Sequence, residues 1–258
     1  MAESVLLATI FLAGLTAGSF VNVVIYRGPV LWKLVESPTR GDLTSPRSYC
    51  PACKTPLRVG NLIPILSFAF QHGRCSSCDA KISVRYPIVE ALSGAGALLS
   101  VATFGWTAAA FLAAIAALML VALAFIDLET GYLPDALTFP LAGLGLSANA
   151  FGVFASLTDA LIGAVAGYLV FWAVGAIYRH LRMREGLGLG DAKLLAAIGA
   201  WTGWFYLPTI VLVAAVATLV FAFARRGATP DDAAPFGPGL CAAGFAALFF
   251  GERLFTAL

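Results

Sequence analysis

Long apolar stretches recur along the chain, and the short segments between them hold almost all of the charged residues. A helix needs about 20 mainly apolar residues to cross the ~30 Å hydrocarbon core of a bilayer. By this criterion the pattern predicts about eight transmembrane helices, at residues 5–26, 88–104, 107–126, 137–155, 159–178, 194–206, 207–224 and 237–251. The fold class predicted is therefore an all-α polytopic membrane protein whose apolar surface contacts lipid.

Composition strengthens this prediction. Hydrophobic residues make up 60% of the 258 positions and charged residues only 12%, whereas ordinary globular domains carry about 25% charged residues. The net charge of +2 is too small to suggest a nucleic-acid partner. The first apolar run lacks the basic start of a secretory signal peptide and is longer than its apolar core, so we expect an uncleaved first span over residues 1–26.

The basic residues predict an orientation. Every one of the 16 Lys and Arg residues except Arg253 lies in the segments 27–87, 127–136, 179–193 and 225–236. Since cytoplasmic loops carry the excess of Lys and Arg, these four segments should face the cytoplasm and the N-terminus the opposite side. We therefore expect three parts, namely a first helix (1–26), a cytoplasmic loop domain (27–87) and a helix bundle (88–258).

Two cysteine pairs stand in the predicted cytoplasmic loop, Cys50 with Cys53 and Cys75 with Cys78. Two C-x-x-C pairs are the ligand set of a tetrahedral zinc site, and four thiolates leave no open position, so the zinc would be structural. A disulfide or redox role is an alternative that the reducing cytoplasm disfavours. Free thiols are a further alternative.

Two aspartates adjoin apolar runs on the predicted cytoplasmic side. Asp127 directly follows the run at 118–126, and Asp191 lies in Gly188-Leu189-Gly190-Asp191, just before the sixth predicted span. Acidic residues beside membrane spans are costly and are often functional, although an ordinary interfacial charge or helix cap is the alternative for each. Two carboxyl groups that share one proton can activate water and polarise a carbonyl, which is the chemistry of an aspartic protease.

Helix ends suggest how that proton is shared. Asp191 near a helix N-terminus should favour its anionic form, and Asp127 at a helix C-terminus its protonated form, so we expect Asp191 to be the resting base. Glu129 and Asp135 are weaker candidates, and Asp135 is expected to cap the helix that follows Pro134. With only two histidines, in different loops, Ser-His catalysis is disfavoured.

The chain resembles the type IV prepilin peptidase family, bacterial membrane aspartic proteases with a G-x-G-D motif. Four ordered motifs carry the resemblance: Gly18 to Arg27; the cysteine segment with Ser48, Asn61, Ile63-Pro64, Gly73-Arg74 and Ser83 to Pro87; Ile126-Asp127 with Leu133 to Asp135 and Thr138 to Leu141; and Gly188 to Leu194. Residues 28–47 match the family only loosely.

The resemblance implies that Asp127 and Asp191 are catalytic. It also implies a protein of the bacterial inner membrane, with a periplasmic N-terminus and with the cysteine loop and both aspartates on the cytoplasmic side. The substrate would be a type IV prepilin or a type II secretion pseudopilin, cut after the glycine that ends a short basic leader. Members with the cysteine segment usually also methylate the new N-terminus with S-adenosylmethionine, but the sequence shows no methyl-donor fingerprint.

Two other functions use paired acids in membrane proteins. One is a presenilin-like protease with other membrane substrates, against which the 27–87 cysteine loop argues. The other is a transporter that couples to protons or cations, whose acids should lie near the midplane between broken helices rather than at one edge.

Overall fold

The structure is a computed structural model that describes residues 2–182, 188–224 and 234–255. Within these ranges the regular structure is helical, with no strand beyond two isolated β-bridges. The helices are α1 (Ala2–Leu31), α2 (Leu66–Phe70), α3 (Arg85–Phe104), α4 (Ala108–Thr130), α5 (Asp135–Ala150), α6 (Leu157–Arg182), α7 (Leu189–Thr202), α8 (Leu207–Ala224) and α9 (Gly237–Phe255), with a 3-10 turn at Val59–Leu62.

The predicted apolar runs correspond to eight of these helices, and the predicted all-α class is confirmed. Five of them, α1, α3, α4, α6 and α8, contain segments long and apolar enough to cross a membrane. Helices α5 and α7 have 16 and 14 residues, fewer than the ~20 that a straight crossing needs. The count of eight spans therefore stays a prediction. Residues 183–187 and 225–233, which belong to two predicted cytoplasmic segments, lie outside the described residues.

By its internal contacts the chain divides into two compact units, Met1–Ala122 and Leu123–Leu258. In the first unit α1 packs closely on α3, because small residues face each other there. A Cβ atom at Gly14 would lie 2.8 Å from the Gly94 backbone, and one at Gly18 would lie 2.8 Å from the Glu90 backbone. Small residues of this kind allow two helix backbones to approach. A separate domain over residues 27–87 stays a prediction.

In the second unit α7 is the central helix, and most of its residues after Asp191 are buried. It crosses α6 closely, since a Cβ at Gly163 would lie 2.5 Å from the Gly199 carbonyl oxygen. Polar groups fix its C-terminal end against α5. The Trp201 indole donates to the Leu141 carbonyl at 2.8 Å, and the buried Asn149 amide donates to the Ala200 carbonyl at 2.8 Å. This packing holds α7, and with it Asp191, in a fixed position.

Candidate active site and cysteine cluster

Asp127 and Asp191 line one cavity of the second unit. The cavity has a volume of about 410 Å³, and its walls come from the ends of α4, α6 and α7 and from the turn after α4. That volume lies in the ~300–1,000 Å³ range of ligand pockets. Phe171 and Trp172 of α6 supply apolar wall, and Arg179 and Lys193 supply positive charge. Two carboxyl groups 64 positions apart in the chain thus reach the same solvent-connected space.

Asp127 lies on the last turn of α4 and is only 5% exposed. Its Oδ2 accepts a hydrogen bond of 3.0 Å from the backbone N–H of Gly237, the first residue of α9. A Cβ at Gly237 would lie 2.6 Å from the same oxygen, so only glycine fits there without displacing the carboxylate. The N-terminus of α9 thereby fixes the position of the Asp127 carboxyl group.

Asp191 is the third residue of α7 and is partly exposed. Gly188 caps the helix in an extended conformation, and its carbonyl accepts the Asp191 N–H at 3.1 Å. Gly190 lies against Leu133 of the turn after α4, where a Cβ would be 3.1 Å from the Leu133 Cβ. The glycines of the Gly188-Leu189-Gly190-Asp191 motif therefore let the start of α7 approach that turn.

The two carboxyl groups differ in their surroundings. Asp191 precedes the predicted span 194–206 and lies outside the five candidate spans. Burial, and secondarily the charge of Asp127, raise the pKa of Asp191 to about 7. Asp127, by contrast, accepts the N–H of Gly237. Which carboxyl group is the resting base therefore stays a prediction, because burial opposes the helix effect expected at Asp191 and the N-terminus of α9 faces Asp127.

The weaker acidic candidates have other surroundings. Asp135 is the first residue of α5, whose cap is Pro134 and has no side-chain hydrogen bond, so the predicted capping role is wrong. Its carboxylate instead accepts two hydrogen bonds from Lys193 Nζ, at 2.7 and 2.8 Å. Glu129 is exposed on the last turn of α4. Neither acid is among the residues that line the aspartate cavity.

The four predicted metal ligands come together in the first unit. A ligand atom of each of Cys50, Cys53, Cys75 and Cys78 lies within 4.8 Å of the others, and the Sγ atoms of Cys50 and Cys78 are 3.9 Å apart. None of the four forms a disulfide. Sulfur ligands about 2.3 Å from one zinc ion would be separated by close to 3.8 Å in a tetrahedron, so this donor set fits the ion.

Each cysteine pair sits in the same kind of turn. In the first, the Cys50 N–H donates to the Thr55 carbonyl at 3.0 Å and the Cys50 carbonyl accepts the Lys54 N–H at 2.9 Å. In the second, the equivalent bonds join Cys75 to Ala80 and to Asp79, both at 2.9 Å. The residue after each pair has a positive φ, 61° at Lys54 and 59° at Asp79. Two equivalent turns, each directing two thiols inward, are the geometry of paired zinc knuckles.

The sequence analysis did not identify the contacts of two residues near the aspartates. Gly237 contacts Asp127 from 110 positions away, and its only signal was the run Phe236-Gly237-Pro238-Gly239, which is typical of a helix start with proline in the first turn. Lys193 pairs with Asp135, and no local pattern predicts a partner 58 positions away.

Comparisons with known proteins identify the family of the chain. Residues 12–104 match the bacterial peptidase A24 N-terminal domain, and residues 114–223 match the type IV leader peptidase family. No solved structure matches the chain.

Several relatives carry the name prepilin leader peptidase/N-methyltransferase. The one from Burkholderia pseudomallei strain K96243 is 43% identical over 98% of this chain and 88% of its own length. Those from Aeromonas salmonicida strain A449 and Neisseria gonorrhoeae are 42% and 41% identical, over 95% and 90% of this chain and 91% and 86% of their own lengths. The resemblance stated from the motifs is thereby confirmed, and the chain belongs to the type IV leader peptidase family, the prepilin leader peptidases/N-methyltransferases.

Proposed function

We propose that this multi-pass inner membrane protein is an aspartic endopeptidase that removes the short basic leader of type IV prepilins or pseudopilins and then methylates the new N-terminus. The observation that carries the peptidase is the shared cavity of Asp127 and Asp191. The family relationship supports both activities. The proposal also includes which residues act and on which side of the membrane they lie.

The dyad cleaves the peptide bond without a covalent intermediate. The Asp127 carboxylate accepts a proton from water as the water oxygen forms a bond to the scissile carbonyl carbon, and the protonated Asp191 donates its proton to the carbonyl oxygen. In the second step the carbon–nitrogen bond breaks, its electron pair stays on nitrogen, and the proton held by Asp127 passes to the leaving amine. A hydroxyl proton of the intermediate returns to Asp191, which restores the starting state.

The site suits a substrate that meets it at the membrane edge. Asp127 lies on the last turn of the α4 span, and Asp191 lies in the first turn of α7, ahead of most of its apolar residues. A prepilin with a basic leader in the cytoplasm and an apolar helix in lipid would present its scissile bond at this depth. There the backbone can leave the helix and bond to water, which the hydrocarbon core forbids. This requires the cytoplasmic orientation that the Lys and Arg distribution predicts.

Two further components belong to the proposal. Zinc held by Cys50, Cys53, Cys75 and Cys78 would crosslink a segment too small to form a large core of its own. S-adenosylmethionine would supply a methyl group on a positively charged sulfur. The protein's part in that reaction is to bind and orient the freed amino group, which gives up a proton to water before its lone pair attacks the methyl carbon.

Substitution of each aspartate tests the peptidase. Asp127→Asn and Asp191→Asn should each lower prepilin cleavage by at least about 10³-fold, because one carboxyl group cannot act as both acid and base. Glu129→Gln, which removes a neighbouring exposed charge from the same helix, is the matched control and should cleave normally. Cleavage is measured with purified protein and prepilin by mass spectrometry. Normal processing by either Asn variant would reject the proposal.

A second assay separates the two activities. Purified protein is given a pilin that already lacks its leader, together with a labelled methyl donor. The wild-type protein and both Asn variants should transfer label to the pilin N-terminus, since methylation does not use the dyad. Wild-type protein that cleaves prepilin but transfers no label would limit the function to proteolysis.

A further inference from the structure

A second cavity lies in the first unit, where α1 and α3 meet the cysteine segment. Its volume is about 150 Å³, and Asn22 of α1 and Glu90 of α3 both line it, together with Cys50 and Cys75. Neither the aspartate chemistry nor the sulfur ligands give a role to Asn22 or Glu90. Both polar side chains lie in helices that are long and apolar enough to span a membrane, where polar groups are costly and usually functional.

Asn22 has an unsatisfied acceptor. The residue is 2% exposed, and its Nδ2 donates to the Tyr86 carbonyl at 3.1 Å and more weakly to the Gly18 carbonyl at 3.4 Å. These two bonds use the amide nitrogen, and Oδ1 has no hydrogen-bond partner among the described residues. Buried acceptors are nearly always paired. A ligand with a donor or a positive charge would satisfy this one.

Glu90 brings a carboxylate to the same cavity without a basic partner. The residue is 7% exposed, its Oε2 accepts the Ile65 N–H at 2.8 Å, and its carboxylate also accepts a hydrogen bond from the Ser19 side chain. Ile65 adopts a φ of +60°, a conformation that branched side chains rarely take and that structures retain mostly at functional positions. Among the described residues Glu90 has no ion pair.

The arginine that lines the cavity donates its hydrogen bonds to other groups. Arg27 lines the cavity, but its guanidinium group donates to the carbonyls of Asp42 and Pro46 at 2.7 and 2.8 Å. The cavity therefore combines a buried carboxylate and an unpaired amide oxygen, and among the described residues that line it no positive charge bonds to either group. This combination selects a small cation or an N–H donor.

We propose that Glu90 and Asn22 form the binding site for the cationic group of a methyl-transfer reactant. This inference rests on the methyltransferase part of the proposed function. The chemistry fits two sources, the α-ammonium group of the cleaved pilin and the sulfonium group of the methyl donor. A volume of about 150 Å³ is smaller than the ~300–1,000 Å³ of sites that enclose a whole drug-sized ligand, so the charged end enters and the remainder of the molecule extends outward.

Binding measurements on the purified full-length protein distinguish the sources. One arm compares S-adenosylmethionine with S-adenosylhomocysteine, which has a neutral sulfur. The other compares a pilin N-terminal peptide that has a free α-amine with the same peptide after N-acetylation. In one arm the wild-type protein should bind the charged member at least about tenfold more tightly. The arm that shows the preference identifies the reactant.

Variants test whether these two residues cause the preference. Glu90→Gln keeps an acceptor for the Ile65 N–H but removes the charge, and it should abolish the tenfold preference. Asn22→Ala should reduce it several-fold. Glu36→Gln removes an exposed carboxylate from the segment that follows α1 and should leave the preference unchanged. Thermal unfolding of each variant shows whether the fold is kept.

Two outcomes overturn the inference. One is a wild-type protein with no preference in either arm, which decides the question even if a variant fails to fold. The other is a folded Glu90→Gln variant that keeps the preference. Cleavage and methylation are followed on the same wild-type preparation. A protein that methylates without a charge preference loses only this inference, whereas one that neither cleaves nor methylates contradicts the proposed function.

Discussion

The cysteine cluster of the first unit and the aspartate cavity of the second are built in opposite ways. Each cysteine pair is shaped by its own turn, with hydrogen bonds that span five residues or fewer, and 21 residues separate the pairs. The Asp127 carboxylate is held by a backbone N–H that is 110 positions away. A local site can be recognised from its spacing, whereas a site assembled by helix packing shows only some of its parts in the sequence.

The largest effect is expected at the locally built cysteine site, where loss of one ligand should remove the metal. The purified protein should contain about one equivalent of zinc, and Cys50→Ser should contain almost none, because structural zinc sites use four ligands. The segment around the turns should then become more susceptible to proteolysis. Metal analysis and limited proteolysis measure the two effects.

Cys241→Ser is the matched control for that experiment. Cys241 is buried in α9 and is not part of the cluster, so the variant should keep its zinc. A metal-free wild-type protein whose cysteine segment resists proteolysis would contradict the zinc assignment.

The contact between α9 and Asp127 should give the next largest effect. A Cβ at Gly237 would lie 2.6 Å from Asp127 Oδ2, so Gly237→Ala must displace the carboxylate or the start of α9. Misplacement of a catalytic group by about 1 Å can cost ~10²-fold in rate, and we expect a loss of that size in prepilin cleavage. Gly143→Ala, in α5 with no atom within 4 Å of the new Cβ, should cleave like the wild type. Equal rates for the two variants would show that the Gly237 contact is not needed.

The pH dependence of cleavage tests which carboxyl group holds the proton. The pKa of Asp191 is raised to about 7, so the group is protonated below that pH and loses its proton above it. If Asp191 is the acid, kcat/KM should fall as pH rises through about 7 and should approach a tenfold decrease per pH unit. Initial rates between about pH 5.5 and 9 measure this limb. A rate that instead rises across pH 7 would return the role of base to Asp191.

The elements of the fold were largely predictable from the sequence. The runs that predicted spans correspond to eight helices, because apolar periodicity over ~20 residues is a strong local signal. Helix ends were less predictable: α4 continues through Asp127 to Thr130, beyond the predicted end at 126. Hydropathy alone does not predict that a polar last turn remains helical.

The residues of each site could be proposed from the sequence, but the groups that surround them in the fold could not. Spacing picked out the four cysteines, and the position of the acids beside apolar runs picked out Asp127 and Asp191. The proton assignment stays a prediction, since it considered only the helix that carries each acid. The N-terminus of α9, which faces Asp127, and the burial of Asp191 arise from packing between distant segments.

The smallest effect is expected at Asp135, the acid that sequence reasoning ranked below the dyad. Its carboxylate pairs with Lys193, and the two side chains are 50% and 28% exposed. Ion pairs with such exposure contribute about 0–1 kcal/mol, so Asp135→Asn should change prepilin cleavage by less than about fivefold. Lys193→Gln, which removes the other partner, should have a similarly small effect on thermal stability. Cleavage as low as that of Asp127→Asn, in a variant that remains folded, would place Asp135 in the catalytic machinery and would make a second long-range contact part of the site.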